Sequence, residues 1–473
     1  MAEQKNQVIK SGVWYIVSNI LIRAVGILTS PIYTRMLSTA EKGIADSFNM
    51  WLTIINSITC LCLIYSVGRA KIDFSEKFDE YISAIQTLSS SFTLITFGFF
   101  LWKFSGIFQG EFTFPMLVMM FVYLVIFPSI DYMQYKYRFN YQYKENIIIS
   151  IIICISTVIL SVVFMAVLPN DRALGKITGT VIPVIIVGLW CYITILRSGK
   201  VIFNKEYWLY ALKIGLPTIP HGLAMVLLAR MDMVMILSFC GASDAGIYST
   251  GYTIATLLSV VTNAIGQAWL PWFNEQLHIE KREAIKKNNL LLMQLGCFLT
   301  LGFIVVAPEA TKILCHSKFW GCIKVIPAVA IGTLCQYFYT NYVNVELYYK
   351  KTFLIALNSI IAALINYMLN AIYIPRFGFV AAAYTTLVGY FVLMILHYLS
   401  TRWILKIKIY SDAAYFGMMI GTGILGIGIL FLYHTILLRY GISILLLGFF
   451  AFLKRNDIML LINIIKMKLG RKS

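Results

Sequence analysis

Fourteen apolar runs leave this chain few ways to fold. They fall at 11–33, 45–67, 81–102, 112–130, 146–168, 174–196, 208–238, 247–272, 289–307, 321–347, 352–374, 378–400, 413–433 and 436–453. A helix of about 20 apolar residues crosses the hydrocarbon core of a bilayer. In lipid the backbone must satisfy its own hydrogen bonds, which restricts spanning segments to helices and closed barrels. Runs of this length, apolar all round, are helices. The expected fold is therefore all-α, a polytopic membrane protein with about 14 transmembrane helices. Composition agrees: 59% of the 473 residues are hydrophobic and 13% charged, against about 25% charged in soluble domains. The last two runs are close enough in sequence to form one hairpin.

Net charge is +18, which in a soluble protein would point to nucleic acid. The placement of the charges points elsewhere. With the N-terminus inside, 26 of the 39 Lys and Arg residues fall on the inner side and 10 on the outer; Arg23, Lys213 and Arg230 lie within spans. This is the positive-inside bias of a membrane protein with both termini in the cytoplasm, and no nucleic-acid partner is expected. The start of the chain is basic and then apolar, but Arg23 interrupts the run and no small-residue cleavage site follows. It reads as a retained first helix.

The outer loops are short, and the inner ones no larger, so the chain offers no room for a catalytic domain and is not expected to be an enzyme. Nine cysteines are scattered mostly through apolar segments as small core residues. Cys315 and Cys322 share a short loop in which a disulfide would be possible on an oxidising side. No His, Cys or Asp cluster has metal-ligand spacing, so neither a metal nor a cofactor is expected. The inner loop Asp131–Glu145 interleaves tyrosines with basic residues, a membrane-edge anchor or a contact for an anionic lipid headgroup. Residues 454–473 read as a short basic amphipathic tail on the inner surface.

The segment from Ala211 to Tyr252 breaks three rules for a spanning helix. Pro217 and Pro220 interrupt its hydrogen-bond ladder, and Arg230 and Asp232 place two charges in an apolar run. A charge at mid-bilayer costs about 2.5–3.5 kcal/mol or more, so such residues face a wet cavity or a partner. Broken helices at that depth line cavities or are buried in protein. The segment is read as the wall of a solute path; the alternative is that both charges reach the outer headgroups.

The chain also repeats itself. Leu37-Ser38, a short polar stretch and Gly43-Ile44 follow the first run; Leu237-Ser238, a short polar stretch and Gly246-Ile247 follow the seventh. Six spans separate the copies, so both start on the inside. That gives two parallel six-helix bundles related by an axis along the membrane normal. The expected division is 1–200 for the first bundle, 201–402 for the second, 403–453 for two extra transmembrane helices and 454–473 for the tail. The site of such an architecture lies between the bundles.

Candidate site residues follow from cost. Arg23 in the first span and Arg230 in the seventh are matched cations, with Arg35 and Lys213 nearer span ends. Arg230 and Asp232 are two residues apart, about 200° around a helix, and should not neutralise each other. An unpaired guanidinium in a cavity suits a phosphate, which it holds bidentately. Asn263 and Gln267 share a helix face, and Gln336, Asn341 and Asn344 decorate the tenth span, with Asn49 and Asn56 in the second and Asn358, Asn366 and Asn370 in the eleventh. Such amides either line a cavity fit for sugar hydroxyls or hydrogen-bond neighbouring helices. His221, next to the helix breaker Pro220, is a packing histidine or a proton carrier.

The run Pro31-Ile-Tyr-Thr-Arg35-Met-Leu37-Ser38 with Glu41-Lys-Gly43-Ile44 resembles the first-helix signature of the bacterial polysaccharide biosynthesis family of oligosaccharide-lipid flippases. So do Ile214-Gly-Leu-Pro217 through Asp232, Gly246-Ile-Tyr-Ser249 and Ala268-Trp-Leu-Pro271, where its second bundle begins. That family belongs to the multidrug/oligosaccharidyl-lipid/polysaccharide exporter superfamily. The resemblance spans roughly 8–400 and implies a flippase that moves undecaprenyl-diphosphate-linked sugar repeats from the inner to the outer leaflet of the cytoplasmic membrane by alternating access. Arg23 and Arg230 would hold the diphosphate, Asp232 and Arg35 would line the same path, and Asn263, Gln267, Gln336 and Asn341 would meet the sugars. The implied partners are the lipid-linked glycan, the bilayer, a coupling ion (H+ or Na+), and a glycan polymerase and glycosyltransferases. Two rivals remain: a multidrug or cation antiporter of the same superfamily, which would want acidic cavity residues, and a membrane-embedded glycan polymerase, which would want a large outer loop.

Overall fold

The computed structural model describes residues 25–26, 28–104, 112–140 and 142–453. The run 11–33, with Arg23, therefore lies mostly outside the described residues, as do the His221 side chain and the basic tail from 454 onward. Residues 28–36 form the end of a helix, α1. The first bundle continues with α2 (Thr39–Thr59), α3 (Ile64–Asp73), α4 (Phe78–Phe104), α5 (Phe114–Phe139), α6 (Tyr143–Val167) and α7 (Arg172–Gly199). A short α8 (Lys205–Gly215) leads into the second bundle: α9 (Ile219–Cys240), α10 (Ala242–Ala255), α11 (Leu258–His278), α12 (Arg282–Leu314), α13 (Ile326–Tyr348), α14 (Thr352–Phe377) and α15 (Phe379–Leu399). The additions are α16 (Asp412–Phe431) and α17 (Ile436–Leu453).

The all-α membrane architecture is the one the apolar runs require. Among the described residues ten helices are long and apolar enough to span, or up to twelve if each bent pair counts as one span. The bent pairs are α2 with α3, at 42°, and Ser317–Lys324 with α13, at 51°. The outward faces are apolar in a way no water-soluble protein tolerates. On α6, Ile148, Ile152, Ile155, Ile159 and Val163 form one exposed stripe, a surface fit for lipid. Polar side chains turn inward instead.

The prolines break the seventh span as its sequence predicts. Leu216–Thr218 is a 3-10 turn containing Pro217, and Pro220 sits in the first turn of α9, where its missing N–H costs no hydrogen bond. The break has a consequence for the bundle boundary. Before it, α8 packs on α3 and α4: Trp208 Nε1 donates to the Ala84 carbonyl at 2.8 Å, and the Tyr210 hydroxyl donates to Asp73 at 2.7 Å. After it, α9 runs beside α2 and packs on α14 and α15. So α8 rides on the first bundle while α9 belongs to the second.

The tyrosine-rich stretch from Asp131 is mostly helix, because α5 continues to Phe139. Cys315 and Cys322 are both buried and both free thiols. The C-terminal addition is tied to the second bundle by charge: α17 buries Arg439 between the Tyr433 and Tyr440 rings, and its guanidinium donates to Glu309 of α12.

Candidate functional site

The two bundles meet along α2, which packs against α9 and α10; helices α3 to α7 make no extensive contact with α11 to α16. The tightest point is at the start of α2 and α10. Ser38 caps α2: its hydroxyl accepts from Glu41 N at 3.1 Å, and the Glu41 carboxylate accepts from Ser38 N at 2.7 Å. Gly241, at φ +88°, starts α10. These two helix starts bring Gly43 against the Ala242 carbonyl and Gly246 against the Thr39 carbonyl. The Thr39 and Ser243 hydroxyls meet at 2.8 Å. On the topology expected from the charge bias, this would be the outer end.

The repeated Gly-Ile tokens are thus the places where the bundles touch. The helix starts also correct the repeat's register. Thr39 and Ala242 open the two helices, so Ser38 corresponds to Gly241, and the Leu-Ser pairs aligned by sequence are three residues out of step.

One turn inside that contact sits a charged cluster. Asp46 of α2 is bonded to Lys42 on its own helix, to Lys176 of α7 at 2.7 Å and to the Ser249 hydroxyl of α10 at 2.7 Å. Lys42 also donates to Ser249 at 3.2 Å. Two lysines share one carboxylate in a site where Lys42 is 7% and Lys176 8% exposed. Each lysine lies inside a helix and is buried. The clue in the sequence is the Lys42–Asp46 spacing of four, which stacks the pair on one helix face; Lys176 and Ser249 leave no such mark.

Below the cluster a half-open pocket of about 130 Å³ lies between α2, α9 and α10, lined by Asp46, Asn49, Arg230, Asp232, Ser249 and Tyr252 among others. Arg230 and Asp232 both line this pocket but have different partners. Asp232 is 2% exposed and turns into the second bundle: it accepts from the Tyr248 hydroxyl, from Thr386 at 3.2 Å and from Met233 N at 2.8 Å. Arg230 stands 5.9 Å from the Tyr252 ring and forms no ion pair among the described residues. Arg35 does not join it: it is exposed, and its guanidinium folds back onto the Pro31 carbonyl at 2.9 Å.

A second half-open pocket, of about 250 Å³, gathers four of the candidate amides: Asn263 and Gln267 from α11, Gln336 and Asn341 from α13, joined by Asn344, Trp269 and Tyr337. Asn263 and Gln267 are exposed and carry no protein hydrogen bond among the described residues. Asn341 is different. It accepts from Asn289 of α12 at 2.9 Å, and Asn289 in turn accepts from the Tyr415 hydroxyl of α16. It belongs to the interhelical hydrogen bonding and to the pocket wall at once. Asn358, Asn366 and Asn370 bridge helices, bonding Ser400, Thr386 and Thr385 of the α15 region, and Asn370 also donates to Asn366 on its own helix. Close by, Glu346 and His397 form a fully buried pair at 2.8 Å, with Tyr339 stacked on the imidazole.

The two pockets lie along one broken helix. Tyr252 at the end of α10 and Thr262 at the start of the second pocket are ten residues apart, about 15 Å at 1.5 Å per residue. A pocket that holds Arg230 together with Asp46 and Asp232 is thus followed, along α10 and α11, by a pocket lined by uncharged residues.

The fold matches that of known exporters and flippases. The structure titled "Lipid II flippase MurJ, inward closed conformation" superposes with a TM-score of 0.71 at 14% identity, covering 93% of this chain and 99% of that one. An inward-facing multidrug resistance MATE family transporter of the MOP superfamily gives 0.60 at 12% identity, over 83% and 98%. At these identities the likeness is one of fold. In sequence, Lsg locus putative protein 1 of Haemophilus influenzae is 25% identical over 211 residues, 41% of this chain. The chain spans about half the length of that relative, 51%. Residues 8–276 match the family described as polysaccharide biosynthesis protein. That match takes in the whole first bundle, the broken α9 and both helices of the seam, and the chain belongs to the polysaccharide biosynthesis protein family.

Proposed function

We propose that this multi-pass membrane protein moves undecaprenyl-diphosphate-linked oligosaccharide repeat units from the inner to the outer leaflet of the cytoplasmic membrane, by alternating access, for a cell-surface polysaccharide such as O-antigen, capsule or exopolysaccharide. The observation that carries the reading is Arg230: a guanidinium with no ion pair among the described residues, in a half-open pocket between two bundles whose carboxylates, Asp46 and Asp232, are each held by other groups. An ionised headgroup pays tens of kcal/mol to enter hydrocarbon bare. A path that supplies a cation for the diphosphate and amides for the sugars removes most of that cost, while the prenyl tail stays in lipid. Arg23 would add a second cation from the first bundle.

The antiporter reading asks for a free carboxylate to meet a cationic drug. Asp46 is held by two lysines and Asp232 by Tyr248 and Thr386, which favours the anionic substrate. A coupling ion, H+ or Na+, would drive the cycle, and glycosyltransferases and a polymerase would act before and after it. The test is surface glycan in cells carrying Arg230→Ala or Arg23→Ala at wild-type protein levels. Loss of surface glycan with lipid-linked repeats accumulating inside is expected; full export by both variants overturns the reading.

A further inference from the structure

We infer that the α11–α13 pocket selects the glycan by charge, accepting neutral and acetamido sugars and rejecting sugars that carry a carboxylate. This rests on the flippase reading above and deepens it. All twelve described residues that line the pocket are uncharged. Five are amides, Asn263, Gln267, Gln336, Asn341 and Asn344, each offering a donor and an acceptor on one group. An acetamido substituent offers the same pair and can bond an amide at both ends. A hydroxyl is also donor and acceptor and pairs as readily. Trp269 and Tyr337 supply aromatic surface for the apolar face of a sugar ring.

A uronate finds no cation here. Among the described residues no Lys, Arg or His lines this pocket, and Arg230 lies in the other pocket, committed to the diphosphate on this reading. A carboxylate enclosed without a charged partner keeps much of its desolvation cost. The two amides that do the reading, Asn263 and Gln267, are those with no protein hydrogen bond among the described residues and open to the cavity. They stand four apart on α11 and so act on one ring together. Asn341, by contrast, is anchored through Asn289 and fixes the floor of the pocket.

The experiment uses the full chain, purified in lipid nanodiscs, and three probes: bare prenyl diphosphate, the same lipid carrying N-acetylglucosamine, and the same lipid carrying glucuronic acid. The acetamido probe should bind about tenfold more tightly than the uronate probe, or better, a difference of about 1.4 kcal/mol. Asn263→Ala with Gln267→Ala should pull that ratio towards one, and Gln267→Lys should reverse it. Both side chains are exposed, and a melting curve of each variant confirms folding. Equal binding of the two sugars by the native chain, or a ratio the double variant leaves untouched, overturns the inference and leaves the diphosphate reading standing. If bare prenyl diphosphate fails to bind, or binds Arg230→Ala as well as the native chain, the flippase reading falls and takes this inference with it.

Discussion

Gly43 and Gly246 face each other across the seam between the bundles: a methyl group on Gly43 would lie 1.8 Å from the Ala242 carbonyl oxygen, and one on Gly246 1.9 Å from that of Thr39. No side chain fits at either place while this end of the seam is closed. Overpacking of this kind costs about 1–3 kcal/mol, here charged only to the closed state. Gly43→Val or Gly246→Val should therefore shift the population towards an open outer end by about 5–150-fold. A cysteine placed at Ser243 should label faster with a membrane-impermeant maleimide in these variants, and export should fall because the outer end no longer closes.

The Asp46 cluster should behave as a buried charge network with an odd member. Removing the carboxylate leaves Lys42 and Lys176 facing each other with no counter-ion. Breaking a buried pair from one side costs about 3–5 kcal/mol. Asp46→Asn should lower the melting temperature of the purified protein more than Ser249→Ala does, and Asp46→Asn combined with Lys176→Met should recover part of the loss. Thermal unfolding followed by size-exclusion fluorescence measures both.

Arg230 should be replaceable in charge but not in shape. A charge-assisted hydrogen bond contributes about 1.5–3 kcal/mol, so Arg230→Ala should weaken prenyl-diphosphate binding by about 10–150-fold. Arg230→Lys keeps a point charge but loses the planar fork and should fall between the two. Because the side chain makes no ion pair among the described residues, neither change should lower the melting temperature noticeably. Titration of bare prenyl diphosphate against the three proteins checks the order.

The amides divide into two groups that a stability measurement separates. Asn341→Ala leaves Asn289 short of its acceptor, a buried loss of about 1–3 kcal/mol, and should destabilise the protein. Asn263→Ala removes a side chain with no protein hydrogen bond among the described residues and should leave stability unchanged while altering glycan binding. Melting curves and probe binding on the same samples distinguish them.

Much of the architecture could be read directly from residue order. Apolar length fixed the helices and their class, and Pro217 with Pro220 marked the break between α8 and α9. The Gly-Ile tokens marked the seam, although their alignment through Leu-Ser was three residues out of step. Two residues of separation also agree with Arg230 and Asp232 making no ion pair among the described residues, although both line one pocket. These features are local, set by helical periodicity and by the backbone chemistry of proline and glycine.

The sequence by itself determined that this is a helical membrane protein, that one helix breaks at Pro217 and Pro220, and that a charge inside it must have a use, because lipid penalises every unsatisfied polar group at the position where it occurs. Only the tertiary structure decided which polar groups satisfy one another. Lys176 meets Asp46 across 130 positions and Ser249 meets it across 203, while Asn341 is claimed by Asn289 and Asn263 is left open to the cavity. Those pairings depend on how helices distant in sequence cross. No periodicity within a single helix encodes that, because the partners come together only once the bundles have packed.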